Sequence, residues 1–202
     1  MRVYKWLFIA LILSFQVTGT KAAELSLDDQ ESVARVEAYL NEITTLKARF
    51  LQINAEGQYA RGTVLINRPG RARFEYDPPA QILVVADGTW LVFHDKELEE
   101  TNRIPLYSTP ISVILKEKVE LKGDVTVTSV EKDGGILRIN IIDTDEPDQG
   151  GLTLVFTLAP FELRKWLVTD AQGSTTSVAI SEVEEGLSFE PKLFVLTDPS
   201  YD

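Results

Sequence analysis

The chain predicts a mainly β (α+β) domain: one large, strongly bent antiparallel sheet with two helices over one face. Three observations predict it. Residues 62–88 read as three strands and two turns. From Val125 nearly to the end, strand-like segments follow one another with only short turns between them. Only two stretches, one near the start and one after Pro110, carry a helical pattern. The length of 202 residues fits one domain, with no repeat, low-complexity run or linker.

Residues 1–22 read as a secretory signal peptide. Arg2 and Lys5 form a basic start, residues 6–15 are apolar, and small residues follow at Gly19, Thr20 and Ala22. The apolar run is too short to span a bilayer as a helix. That leaves residues 23–202 as a single domain bound for an oxidising compartment. The chain has no cysteine, so no disulfide can hold it and the core must. A domain of this size buries roughly 70% of its unfolded surface, which is enough. The net charge is −11, and loss of Arg2, Lys5 and Lys21 with the leader leaves 17 basic against 31 acidic residues. Such a chain has no bulk attraction for nucleic acid or anionic headgroups.

Ser26 is placed to cap a helix, with Asp28 and Asp29 in its first turn and an apolar stripe of Val33, Val36, Leu40 and Ile43. Leu46, Ala48 and Phe50 then switch the period to two. Residues 63–66 are a strand closed by the turn 67–70. Residues 71–76 alternate cleanly, with Ala72, Phe74 and Tyr76 on one face and Arg71, Arg73 and Glu75 on the other. Pro78 and Pro79 break this strand. Residues 82–86 are an apolar strand, and Asp87-Gly88 turns it into Trp90-Leu91-Val92-Phe93. Residues 97–102 are polar, an edge strand or a loop. Pro110 opens a short apolar helix ending at Lys116-Glu117-Lys118, although Ile111, Val113 and Ile114 also suit a strand. Strands follow over 125–130, 136–142, 152–158, 162–169 and 175–183, and residues 189–194 close the β pattern.

No catalytic set appears. His94 is the single histidine and sits by a turn, where a structural role is the ordinary one. There is no Cys, no Gly-x-Ser-x-Gly elbow, no zinc set and no phosphate loop, so the chain does not read as an enzyme and implies no cofactor or metal. The carboxylates at Glu99-Glu100, 143–148 and Glu184-Glu185 fall in loops and lack calcium-loop spacing.

The stretch Arg68-Pro-Gly-Arg-Ala-Arg-Phe-Glu-Tyr-Asp-Pro-Pro-Ala-Gln-Ile-Leu-Val-Val-Ala-Asp-Gly resembles the signature of the LolA family of periplasmic lipoprotein carriers. Two later pieces match in order: Pro105-Leu-x-x-Thr-Pro110, and Leu163-x-x-Trp166-x-Val168-Thr-Asp-Ala-Gln-Gly173. The resemblance implies an unclosed β-barrel with helices as a lid over a hydrophobic cavity. Laid on that fold, the inner face is Ala72, Phe74, Tyr76, Val84, Trp90 and Val92, and the lid is Ile111, Ile114 and Leu115. The resemblance makes Arg68 a latch, its planar fork of donors bonding backbone carbonyls of the lid. It implies acylated lipoproteins as cargo, an inner-membrane ABC-type lipoprotein-releasing transporter as donor, an outer-membrane acceptor, a monomer, and a periplasmic location. Ala72 departs from the family, which usually has a large apolar residue there. The alternative reading is a LolA-like sensor or adaptor that binds a lipid or lipoprotein signal and regulates a membrane partner.

Overall fold

The computed structural model describes residues 25–196; the expected signal peptide at 1–22 lies outside them. Helix α1, Leu27–Glu42, begins as expected, with the Ser26 hydroxyl accepting from the Asp29 amide at 3.1 Å. Six strands follow: β1 Thr45–Ile53, β2 Tyr59–Asn67, β3 Arg71–Tyr76, β4 Ile82–Asp87, β5 Trp90–Asp95 and β6 Glu100–Pro105. The short α2, Ser112–Leu115, precedes β7 Val125–Asp133, β8 Ile136–Asp143, β9 Gly150–Leu158, β10 Phe161–Asp170 and β11 Thr175–Glu185. Both expected helices are present, and the polar segment after residue 97 becomes a strand.

All these strands belong to one antiparallel sheet in the order β6-β5-β4-β3-β2-β1-β11-β10-β9-β8-β7. It is two meanders joined where β1 pairs with β11. The edges β6 and β7 do not pair, so the sheet is not closed. Residues 106–124, with α2 among them, connect the two edges. Bulges at Lys47/Arg49, Val127/Ser129 and Leu163/Lys165 add local twist and bending. Aspartates secure several hairpin turns: Asp87 accepts from the Thr89 and Trp90 amides, and Asp170 from those of Gln172 and Ser174.

The inner face carries the core. Leu46, Ala48 and Phe50 of β1, Val64 and Ile66 of β2, Ala72 and Phe74 of β3, Leu137 and Ile139 of β8, Phe156 of β9 and Trp166 of β10 are buried there with Val36 and Leu40 of α1. Gly62 has a steric reason. A Cβ there would stand 2.6 Å from the Phe50 ring and 2.2 Å from the Glu75 carbonyl. Its absence lets Phe50 lie across β2 and meet Phe74 and Tyr76 edge-on, at centroid distances of 5.8 and 5.0 Å.

A second, smaller apolar cluster sits on the outer face. Pairing puts Val85 opposite both Arg73 and Val92, so Leu83, Val85 and Val92 point away from the main core. They are nonetheless buried. The C-terminal segment covers this region: a 3₁₀ turn, Pro191–Phe194, packs on β3 and β4, Phe194 is 1% exposed, and Arg73 donates to the Leu193 carbonyl at 3.2 Å. The expectation of a closing strand over 189–194 is corrected here, since Pro191 has no amide to give a ladder. Phe194→Ala should cost about 3–5 kcal/mol, as for other buried phenylalanines. Thermal unfolding should shift down by on the order of 10 °C. An unchanged midpoint would show that the outer cluster contributes nothing.

Candidate functional site: an arginine knot under the lid

Arg68 opens the turn from β2 into β3 and reaches the end of α1 and the residues just after α2. Nε donates to the Lys116 carbonyl at 2.7 Å. Nη1 donates to the carbonyls of Ile43, at 3.0 Å, and Leu40. Nη2 donates to the Glu117 carbonyl at 3.0 Å and the Asn41 Oδ1 at 3.3 Å. All five N–H groups therefore have an acceptor, and none of these acceptors is a carboxylate. Burial pulls the Arg68 guanidinium below its ordinary pKa. It remains a cation all the same, because the ordinary value is so high.

The knot answers a need of α1. The last turn of that helix carries no basic residue. Its terminal carbonyls are the negative end of the helix dipole and lack intrahelical partners. Arg68 supplies both the charge and the donors from a different part of the chain. Backbone bonds complete the junction: the Arg68 amide donates to the Thr44 carbonyl at 2.8 Å, and the Gly70 amide to the Leu115 carbonyl at 2.7 Å. Asn41 adds a two-way tie, donating to the Val119 carbonyl at 2.9 Å and accepting from the Val119 amide at 2.8 Å. Glu37 accepts from the Leu121 amide at 2.6 Å.

Of the expected inner-face residues, Ala72, Phe74, Tyr76 and Val84 are on the inner face. Ala72 is fully buried and Phe74 nearly so, packed in the core with α1 and α2 above. Tyr76 donates from its hydroxyl to Gln52 Oε1 at 2.6 Å, and burial pushes its pKa up to about 12. The expectation fails for β5. Val84 pairs with Phe93 and Ala86 with Leu91, so Leu91 and Phe93 face inward. Val92 lies in the outer cluster, and Trp90, of the same parity, is 41% exposed. The lid residues Ile114 and Leu115 are buried and Ile111 is half-buried against the core. His94 is paired with the Thr101 hydroxyl at 3.0 Å.

An open cleft lies away from Ala72 and Phe74. A cleft of about 640 Å³ runs beside α2, between the lid and the ends of β7, β8 and β9. Asn41, Glu37 and this cleft were not legible beforehand. The polar ties join residues 78 and 84 positions apart, with no local signal. No group of three or more potential metal ligands occurs among the described residues, and no helix there is long and apolar enough to cross a membrane.

An unclosed antiparallel barrel, roofed by two helices that one arginine ties together, is the class the fold and this site define. The model of the outer membrane lipoprotein carrier protein LolA matches residues 41–197, and the chain belongs to that family. It is 25% identical over 177 residues to an outer-membrane lipoprotein carrier protein of Methylococcus capsulatus, covering 83% of this chain and 84% of the relative. It is also 25% identical over 211 residues to one from Pseudomonas paraeruginosa, covering 98% and 96%. A solved LolA superfamily protein from Nitrosomonas europaea aligns at TM-score 0.47 and 12% identity, over 81% of this chain and 97% of that one.

The packing around Ala72 makes a definite expectation. Ala72→Phe should overpack the inner face and destabilise the protein by about 1–3 kcal/mol. Denaturant unfolding measures this. Full stability would mean that unfilled space lies over Ala72 after all.

Proposed function

We propose that the protein carries acylated lipoproteins across the periplasm. It receives acyl chains from an inner-membrane ABC-type lipoprotein-releasing transporter, shields them from water, and passes them to an outer-membrane acceptor. It acts as a monomer, without cofactor and without a chemical step. Family membership supports the class of cargo, and the relatives' names point the same way.

The single observation that carries the reading is the Arg68 knot. It ties α1 and the segment after α2, the two elements above an apolar inner face, by polar bonds alone. Each hydrogen bond contributes about 1 kcal/mol net, and one involving a charged group about 1.5–3 kcal/mol. Each acyl methylene taken out of water contributes about 0.8 kcal/mol. A long chain can therefore open the lid, while the closed lid regains its bonds once the cargo leaves. A ligand shifts such an equilibrium only through its different affinity for the two states. The knot, which favours the closed and empty one, is the source of that difference.

Arg68→Leu should leave the sheet folded, because the knot lies at the rim. It should still accept lipoprotein from inner-membrane vesicles yet transfer it poorly to outer-membrane vesicles, since closing no longer helps to expel cargo. Arg68→Lys should recover only part of the transfer, having no planar fork. The two steps are scored separately by immunoblot of the soluble and the acceptor fractions. Transfer equal to wild type by Arg68→Leu would remove the latch from the mechanism.

A further inference from the structure

The cleft beside the lid has two chemical characters. Its walls are apolar: Leu106, Val113 and Leu115 on the lid side, and Val125, Ile141 and Leu152 on the sheet side. Its volume of about 640 Å³ is within the roughly 300–1,000 Å³ usual for small-molecule sites. Two turns meet closely at one end. Gly70 and Gly88 both have positive φ, and a Cβ on Gly70 would stand 2.8 Å from the Gly88 Cα. A side chain at Gly70 would part these turns, whereas a Cβ at Gly88 would meet nothing within 4 Å.

The lip is acidic. Asp124, Asp143 and Glu146 border the cleft and are exposed, against one bordering cation, Lys116, which Asp124 pairs at 3.0 Å. Lys118 and Lys122 lie in a neighbouring depression, with Lys118 paired to Glu120 at 2.8 Å. Among the described residues no ion pair engages Asp143 or Glu146. Asp143 instead accepts from the amides of Asp145 and Glu146, at 2.8 and 2.9 Å, which fixes the loop in place.

A polar metabolite would leave these walls uncovered. A neutral acyl chain would fill the walls but make no use of the acidic lip, whose exposed carboxylates attract a basic group. The geometry points to a selective subsite for an acyl chain joined to a basic peptide, the chain lodged between α2 and the ends of β7–β9 and the lysines or arginines on the Asp143–Glu146 lip. This rests on the carrier reading above and narrows its cargo: lipoproteins with basic residues after the acylated terminus should load most favourably.

The test uses palmitoylated fluorescent pentapeptides below their aggregation concentration, identical except for four lysines, four glutamates or four asparagines. Binding to the purified protein is followed by anisotropy. The lysine peptide should bind about tenfold more tightly than the glutamate peptide at low salt, roughly what two or three exposed charge pairs supply. High salt should narrow the gap. Asp143→Asn with Glu146→Gln should abolish it, and the asparagine side chain can still hold the loop. Glu56→Gln, in the β1–β2 turn, with Asp133→Asn, at the end of β7, both at the far end of the sheet, should leave it intact. Equal affinity for the three peptides, or an equal effect of both pairs of substitutions, overturns the subsite alone. Failure of all three peptides to bind overturns the carrier reading and the subsite with it.

Discussion

The junction of α1 with the segment after α2 depends on one half-buried cation. Four carbonyl oxygens, from Leu40, Ile43, Lys116 and Glu117, converge on the same few ångströms beneath the helices. Without a donor among them they would repel one another, and those of the buried Leu40 and Ile43 would each carry the cost of an unsatisfied buried acceptor, about 1–3 kcal/mol. Lysine could serve some of them but not all, since its three donors diverge from a point. The guanidinium plane distributes five donors in fixed directions. The Asn41 and Glu37 ties only extend a junction that Arg68 makes possible.

The place of the lid follows from the topology. The two meanders share the β1–β11 pairing, so the chain must cross from the edge β6 to the edge β7. Residues 106–124 make that crossing, and the two edges leave the unclosed side of the barrel for it. Their apolar residues then have one surface to cover, the inner face. Val113, Ile114, Leu115, Val119 and Leu121 are all buried in the main core. The crossing is thus both the closure of the core and, on the proposed reading, its moving part. It contains only four residues of α-helix, too few to persist without packing.

The alternation of residues 71–76 made β3 and its inner face legible from the sequence, and Ser26 with two following aspartates made α1 legible. Trp90-Leu91-Val92-Phe93 was different. Four large apolar residues in a row carry no period, so the choice of face had no local basis. The structure resolves it through the C-terminal segment, whose Phe194 makes the outer face of β4 and β5 apolar as well. That cover lies about a hundred residues on in the chain. The Arg68 role was legible only through the family signature. Nothing in the turn Asn67-Arg68-Pro69-Gly70 by itself says that its arginine will find the end of α1.

The inner face constrains any mechanism of carriage. Ala72 and Phe74 of β3, Phe50 of β1 and Trp166 of β10 are buried in one core, with Phe74 edge-on to Phe50 at 5.8 Å and to Trp166 at 6.4 Å. There is little room for a chain on top of them while α1 and α2 stay where they are. The sheet cannot yield, because its ladder is continuous from β6 to β7 and parting two strands would break several hydrogen bonds at once. On the proposed reading the helices yield instead, since polar ties hold their ends and apolar cargo would replace the apolar contacts beneath them. Exchange of that kind leaves the burial of the inner face nearly unchanged, so the balance between empty and loaded forms falls to the difference between a few hydrogen bonds and the chain's own hydration. A cleft already open beside α2 gives the first methylenes a place before any bond of the knot is broken. On the proposed reading, cargo then begins to bind while the knot is still intact, and the lid need open only as far as the chain has already advanced.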